Sequence, residues 1–476
     1  SKLVYYLLVV VLLTYLLDGK EQEFGTYGEL YGYVTVLIIL FSLKLDTALF
    51  RYGSEKSQIK EAYNTTASLV FVNALILLAL SFVFTDEIAQ LIDYGNKSHY
   101  VRWFGLILAF DILALIPFAR LRLDNKAKIF ASLRIFNVAL SSSLIIFFLI
   151  IYPKVQDRAP FHLFPRFDQE IEYVFFTNVI ASGILLLLVL RYGGLFKFSF
   201  SRQFIKKLIP YVTPLVIVGM CNNFIQYNGA AVIKYLSSTE SLTESLGQSG
   251  IFDSSRRIAG LFVLFIGAFN YAAEPFFFNN SGVEDREAYY GKICHLFVLI
   301  GGIIILGLVL GMDIIKYLVG AGYRESIFII PVLLLAYLVL GLYHNVSIWY
   351  KLSDKTYWGA YVSVVGVITT LLISYLFIPR YGYVAFAYAN LLSYLVMVLL
   401  TYLVGQHHYP IRYPVLKISK SIAIIVLLLL ASQLLRCLTN GLLLYGSYLL
   451  ILSAYFLYVY YAEKEEWVKM IFKSRS

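Results

Sequence analysis

The chain has 476 residues, of which 60% are apolar and only 14% are charged, and its formal net charge is +10. A soluble domain carries charge on about a quarter of its residues, so this composition excludes an ordinary water-soluble fold and indicates that lipid is the solvent. An excess of Lys and Arg is explained first by cytoplasmic loops of a membrane protein, and the sequence contains no compact basic domain that would predict nucleic-acid binding.

Fourteen apolar runs predict transmembrane helices, because about twenty residues are needed to cross the hydrocarbon core at about 1.5 Å per residue. The first run, 3–17, is short and ends in Asp18-Gly19-Lys20 without the small-residue pattern of a signal-peptide cleavage site. We interpret it as a membrane helix whose start is expected to have been trimmed. The predicted helices span residues 3–17, 29–50, 66–84, 101–118, 130–152, 173–192, 208–234, 250–279, 292–311, 326–347, 357–378, 383–405, 417–436 and 441–461.

The fold class predicted from these runs is an all-α integral membrane protein with two pseudo-symmetric six-helix bundles and two further C-terminal helices. Because six is even, two such bundles share one orientation and are related by an axis along the membrane normal. A weak internal similarity agrees: Gly25 and Gly28 lie at the start of predicted helix 2, and Gly247 and Gly250 lie at the start of predicted helix 8. The predicted domains are an N-terminal bundle (1–192), a basic cytoplasmic linker (193–207), a C-terminal bundle (208–405), and helices 13–14 with a cytoplasmic tail (406–476).

The distribution of basic residues predicts the orientation of the chain in the membrane. Counted over the loops and the adjoining helix ends, most Lys and Arg residues follow even-numbered helices or lie in the C-terminal tail, for example Arg120, Arg122, Lys126, Lys128 and Arg134. By the positive-inside rule these loops and both termini are cytoplasmic.

Three charged residues near the inner end of predicted helix 2 are candidate substrate ligands. Lys44 and Arg51 are seven residues apart and share one helix face with Thr47, and Asp46 lies between them. A basic cavity wall that meets an anionic headgroup is one interpretation. The other is that Arg51 reaches the interface by snorkelling, which is harder for the deeper Lys44.

Predicted helix 8 carries a second charged group. Arg256 and Arg257 point about 100° apart on a helix, so one of them at most lines a given cavity, and Asp253 is placed to pair with either. Further along, Asn270 is a candidate ligand, and Glu274 precedes Pro275, which would kink the helix. Glu274 is therefore a candidate coupling site for a proton or cation, or else a paired structural carboxylate.

Two further groups are polar and lie inside predicted spans. Asp111, midway along predicted helix 4, is either a proton-coupling site or a neutral hydrogen-bonding group. Predicted helix 7 contains Asn222, Asn223 and Gln226, which either line a hydrated path for the substrate or join helices by hydrogen bonds.

No catalytic or cofactor-binding motif is present in the sequence. The three cysteines, Cys221, Cys294 and Cys437, are too far apart for a disulfide framework or a metal-binding spacing, and His407-His408 is interpreted as a solvated pair. The sequence has no phosphate-binding loop, no paired-His zinc motif and no nucleophile elbow. We therefore predict a protein without cofactor or metal that is not an enzyme.

Several of these segments resemble the polysaccharide exporters, the oligosaccharide-lipid flippases of the multidrug/oligosaccharidyl-lipid/polysaccharide exporter superfamily. The stretch from Glu23 to Tyr52 (EFGTYGELYGYVTVLIILFSLKLDTALFRY) is similar to the family's second helix, and SGIFDSSRRIAGLFVLFIGAFNYAAEPFFF is similar to its eighth. The stretch from Ile378 to Val396 resembles helix 12. The chain departs from the family at Asn228-Gly229, where an Asp-Arg pair is common.

The resemblance implies a flippase that moves a polyprenyl-diphosphate-linked oligosaccharide across the bacterial cytoplasmic (inner) membrane by alternating access. The implied partners are this lipid-linked oligosaccharide and membrane lipids, and other membrane proteins of polysaccharide assembly are candidate partners. The alternatives are a cation-coupled exporter of small molecules with the same fold, a membrane enzyme acting on lipid-linked glycans, and a structural scaffold. A scaffold would not explain the intramembrane charges, and an enzyme of this kind usually has a larger outer loop than residues 153–172.

Overall fold

The structure is a computed structural model that describes residues 11–53, 59–238, 241–279, 286–353, 355–438 and 440–473. These ranges are almost entirely helical and contain no strand, as expected where lipid leaves every backbone group to be bonded within its own helix. Twelve described helices are long and apolar enough to cross a membrane. Predicted helix 1, described only from residue 11, and predicted helix 8 account for the remaining two. The prediction of an all-α membrane protein with about fourteen spans is confirmed.

The helices are numbered here in chain order. They are α1 (Glu21–Ser42), α2 (Leu45–Tyr52), α3 (Ile59–Val83), α4 (Thr85–Leu91), α5 (His99–Leu123), α6 (Ala127–Ile146), α7 (Tyr152–Val155), α8 (Glu170–Gly193), α9 (Arg202–Tyr227), α10 (Gly229–Leu236), α11 (Leu242–Ala259), α12 (Leu261–Asn279), α13 (Arg286–Leu310), α14 (Met312–Ile315), α15 (Ile330–Val346), α16 (Ile348–Leu352), α17 (Tyr357–Tyr381), α18 (Tyr383–His408), α19 (Val415–Leu438) and α20 (Leu442–Lys473).

The chain forms two compact units, and the first comprises residues 1–254, 320–323 and 356–386. In this unit α5 packs along α3 and α8, and α9 packs along α1 and α17. Apolar side chains of α5, α6 and α8, among them Phe118, Leu133 and Val189, form a buried cluster at one of these contacts. The division of the chain into bundles at residues 192 and 208 stays a prediction.

The second unit comprises residues 255–319, 324–355 and 387–476. Here α13 is the central helix and packs against α12, α15, α19 and α20. A buried polar chain ties three of these helices together: His295 Nε2 lies 3.0 Å from Ser421 Oγ, and Ser421 Oγ lies 2.8 Å from the Tyr458 hydroxyl. Such interhelical hydrogen bonds hold transmembrane helices in register.

Three predicted helices are each divided into two. Predicted helix 2 is broken between α1 and α2 at Leu43 and Lys44, whose φ angles of 50° and 53° are left-handed. Predicted helix 7 is broken at Asn228 between α9 and α10, and predicted helix 8 at Gly260 between α11 and α12. The three helices also begin six to eight residues earlier than predicted, because their first turns are polar and a hydropathy window excludes them.

Candidate functional site

The break in predicted helix 2 determines where its two cations lie. Left-handed φ is unfavourable for residues with a side chain, by about 1–3 kcal/mol for each such residue, so the packing around Leu43 and Lys44 must hold the break in place. Lys44 is half-buried against α9, where a Cβ placed on Gly219 would lie 3.0 Å from Lys44 Cε. The Arg51 guanidinium lies over the Tyr211 ring, 4.4 Å from its centroid. Both cations therefore contact α9.

Asp46 and the amides of α9 complete this part of the predicted site. Asp46 lies half-exposed in the first turn of α2, where a carboxylate is stabilised by the helix dipole. Asn222 Oδ1 accepts a hydrogen bond of 3.4 Å from Ser363 of α17, and Asn223 Nδ2 donates one of 2.6 Å to the Thr35 carbonyl of α1. These two contacts are interhelical clamps. Gln226 is half-buried one turn further along.

The remaining substrate candidates belong to the second unit. Arg256 is 4% exposed and Arg257 is half-buried, both in the last turn of α11. Asn270 is half-buried in α12. Glu274 also belongs to α12, and its side chain lies outside the described part of the structure. The assignment of all these residues as ligands stays a prediction.

A buried ion pair in the first unit was not predicted from the sequence. Lys234 Nζ of α10 lies 2.9 Å from Glu29 Oε1 of α1, and both side chains are 0% exposed. Lys234 also donates a 2.7 Å hydrogen bond to the Ile92 carbonyl, and Tyr33 and Tyr94 donate to the two oxygens of Glu29 at 2.8 and 2.7 Å. Burial raises the pKa of Tyr94 well above its usual value, so this phenol remains a donor at physiological pH.

The pair joins two helices, α1 and α10, that are far apart in sequence. Each charge is neutralised by the other, and each charged group has additional hydrogen bonds. A buried ion pair of this kind is costly to form and is retained only with additional hydrogen bonds. We refer to Glu29, Lys234, Tyr33 and Tyr94 as the α1–α10 lock. A search for every charge inside an apolar run would have identified Glu29 and Lys234, although not their pairing.

One glycine from each pair noted in the sequence, Gly25 and Gly250, lies where α1 and α11 contact each other. A Cβ on Gly25 of α1 would lie 1.9 Å from the Leu246 carbonyl oxygen of α11, and one on Gly250 would lie 2.0 Å from the Glu21 carbonyl oxygen. Only glycine permits backbones to approach so closely. The helices α1 and α11 therefore cross in contact at the end of the membrane that the charge pattern predicts to be outer.

A polar cavity of about 240 Å³ surrounds Asp111 within the first unit. Asp111 lies beside Ser182 of α8 and Arg134 of α6, and the guanidinium of Arg134 packs over the Phe118 ring at 4.3 Å. Arg134, counted in the sequence among the basic loop residues, belongs to helix α6 and lines the cavity. The buried Asn137 Oδ1 in the same cavity has no hydrogen-bond partner among the described residues.

Solved structures with a similar fold were found by structural comparison. The lipid II flippase MurJ, in its inward closed conformation, aligns with a TM-score of 0.67 at 15% identity, over 98% of this chain and 99% of that one. The inward-facing conformation of a multidrug resistance MATE family transporter of the MOP superfamily aligns with a TM-score of 0.63 at 13% identity, over 86% and 94%. The chain has the fold of MOP-superfamily transporters.

A third structure shares this fold less closely. It is a MOP-superfamily transporter from Pyrococcus furiosus whose binding pocket has reversed polarity, with a TM-score of 0.51 at 12% identity over 85% of this chain and 93% of that one. No protein-family model and no curated protein matches the sequence. The resemblance to the exporter superfamily predicted from the sequence is thus confirmed at the level of fold. The neighbours are transporters and a flippase rather than enzymes.

Proposed function

We propose that this protein is a flippase that moves a polyprenyl-diphosphate-linked oligosaccharide across the bacterial cytoplasmic membrane by alternating access. The observation that supports the proposal is that Lys44 and Arg51 both contact α9, through Gly219 and Tyr211. Lys44 is half-buried and Arg51 is exposed, and neighbouring cationic side chains suit an anionic headgroup such as a diphosphate.

Removing both cations tests the headgroup assignment. The double variant Lys44→Ala/Arg51→Ala is expected to reduce surface-glycan export in the native host to the level of a strain that lacks the protein. The amount of variant in the membrane, measured by immunoblot of membrane fractions, is expected to match that of the parent.

A matched control removes two charges elsewhere. Arg191→Ala/Lys206→Ala likewise deletes two basic residues, both of them exposed, at the inner end of α8 and the start of α9, and should leave export unchanged. Normal glycan display by Lys44→Ala/Arg51→Ala, or equal loss in both double variants, would contradict a specific headgroup role.

The second candidate function is a cation-coupled exporter of small molecules with the same fold, which the MATE neighbour and the Asp111 cavity favour. In both functions we assign coupling to Asp111, with Glu274 as the other candidate. Protonation of Asp111 would remove a negative charge beside Arg134, and this gives the cavity two electrostatic states.

Neutralising Asp111 separates coupling from substrate binding. Asp111→Asn is expected to abolish export and to make the residual signal insensitive to a protonophore, because the side chain can no longer change charge. Asn137→Ala, which changes another polar residue of the same cavity, should retain protonophore-sensitive export. The measurement is glycan export, and in parallel efflux of a cationic dye, with and without the protonophore. Export by Asp111→Asn that is protonophore-sensitive at the parental level would exclude Asp111.

A further inference from the structure

A polar cleft opens at the beginning of α1, at the opposite end of this helix from Lys44. Its volume is about 470 Å³, and all of its lining residues belong to the first unit. The helix α1 has 22 residues and is therefore about 33 Å long, so the cleft and Lys44 are separated by about the thickness of the hydrocarbon core.

Four side-chain amides surround the cleft, from Gln22 of α1, Gln90 of α4, Asn96 of the turn that follows α4, and Gln169 just before α8. The amides of Gln22, Gln90 and Asn96 are exposed and make no hydrogen bond among the described residues. Gln169 Oε1 accepts a 3.2 Å hydrogen bond from the Tyr100 hydroxyl, which fixes this side chain. The cleft thus presents hydrogen-bond donors and acceptors, the three exposed amides, that are available to a ligand.

The charges around the cleft are held by partners. Lys97 Nζ lies 2.6 Å from Glu172 Oε1, so its charge is offset and the cleft has no free cation to attract a phosphate. Glu23 is only 7% exposed, and one of its oxygens accepts a 2.9 Å hydrogen bond from the Ile171 backbone N–H. Buried Leu246 and exposed Leu242 supply an apolar edge.

These features fit a carbohydrate. Each sugar hydroxyl is both a donor and an acceptor, as an amide is, and the apolar edge suits the C–H face of a pyranose ring. The volume lies within the range of about 300–1,000 Å³ typical of small-ligand sites. We propose that this cleft binds neutral sugars or amino sugars. That these belong to the glycan of the cargo after its translocation rests on the proposed function, whereas sugar binding itself does not.

The test is saturation-transfer NMR on the purified full-length protein in detergent. This method detects weak complexes with millimolar dissociation constants. The probes are galactose, rhamnose, N-acetylglucosamine and glucuronate. We expect transfer to one or more of the first three and less to glucuronate. Asp93 lines the cleft, its side chain is 48% exposed, and it shares its cation Lys234 with Glu29, so net negative charge remains there to repel a carboxylate. The variants Gln90→Ala and Asn96→Ala are each expected to lose most of this signal.

The control variant is Gln156→Ala, which removes an amide that does not line the cleft. It should bind sugars like the parent. Gln90→Ala and Asn96→Ala should melt at the parental temperature because both amides are exposed. Absence of transfer to all three expected sugars, a preference for glucuronate, or full signal in Gln90→Ala and Asn96→Ala would overturn the inference. Lys44→Ala/Arg51→Ala should still bind sugar, so a failed flippase assignment and a failed sugar site give different results.

Discussion

Replacing Lys234 with Ala is expected to destabilise the protein by about 3–5 kcal/mol, because it leaves the carboxylate of Glu29 buried and without its cation. Both side chains of the pair are 0% exposed, so water cannot replace the lost partner. Tyr33 and Tyr94 would still donate hydrogen bonds to Glu29, but two neutral donors do not compensate a full charge. The measurement is the apparent melting temperature of the purified protein in detergent, followed by intrinsic fluorescence.

Two comparisons show whether burial is the cause. Arg166→Ala breaks an ion pair of 2.7 Å with Asp157 whose side chains are 54% and 80% exposed, and such a pair contributes only about 0–1 kcal/mol. The double variant Glu29→Gln/Lys234→Met removes both charges of the α1–α10 lock at similar volume and should melt above Lys234→Ala. A melting temperature of Lys234→Ala equal to that of Arg166→Ala, or no recovery in the double variant, would contradict this account of the lock.

The presence of the helices could be predicted from the sequence, and their ends and breaks could not. Apolar runs of about twenty residues suffice to identify spans, and the described helices agree with the predicted fold class. The polar beginning of α1 includes Glu23 and Glu29, which are accommodated by the Ile171 N–H and by Lys234. Those partners are 148 and 205 residues away, so no local pattern contains them. The break at Leu43–Lys44 contains neither Gly nor Pro and is a product of tertiary packing.

Which candidate residues lie near one another could be predicted from the sequence only in part, because many of their neighbours are distant in sequence. Lys44 and Arg51 could be grouped because helical spacing places them on one face, and the structure places both against α9. Asp111 could be recognised as an isolated intramembrane acid, but its neighbour Arg134 was assigned to a loop because basic residues at helix ends are normally counted as topological signals. For Asn222 and Asn223 the sequence left two interpretations open, and their observed contacts are interhelical.

The glycine contact between α1 and α11 provides the strongest expected effect on transport. Gly25→Ala places a methyl group 1.9 Å from the Leu246 carbonyl oxygen, and Gly250→Ala places one 2.0 Å from that of Glu21. Because these neighbours are backbone atoms, the helices must separate. Each variant is therefore expected to abolish export and to expose the crossing. The exposure is measured in a background in which Cys221, Cys294 and Cys437 are replaced by Ser. Ser249 is fully buried, and a cysteine is introduced there by Ser249→Cys. Labelling of this cysteine by an impermeant maleimide is expected to rise in either glycine variant.

Gly25, Gly28 and Gly247 form a graded series of decreasing contact. The series distinguishes this steric cause from a general sensitivity of glycines to substitution. A Cβ on Gly28 would lie 3.0 Å from Cγ of the Asp253 side chain, and a Cβ on Gly247 would have no atom within 4 Å. Overpacking costs about 1–3 kcal/mol where neighbours can shift, so Gly28→Ala should have an intermediate effect and Gly247→Ala none. If export and labelling rank in this order, contact between α1 and α11 is needed during transport. If Gly25→Ala exports normally with Ser249→Cys still protected, the crossing does not form in the working protein.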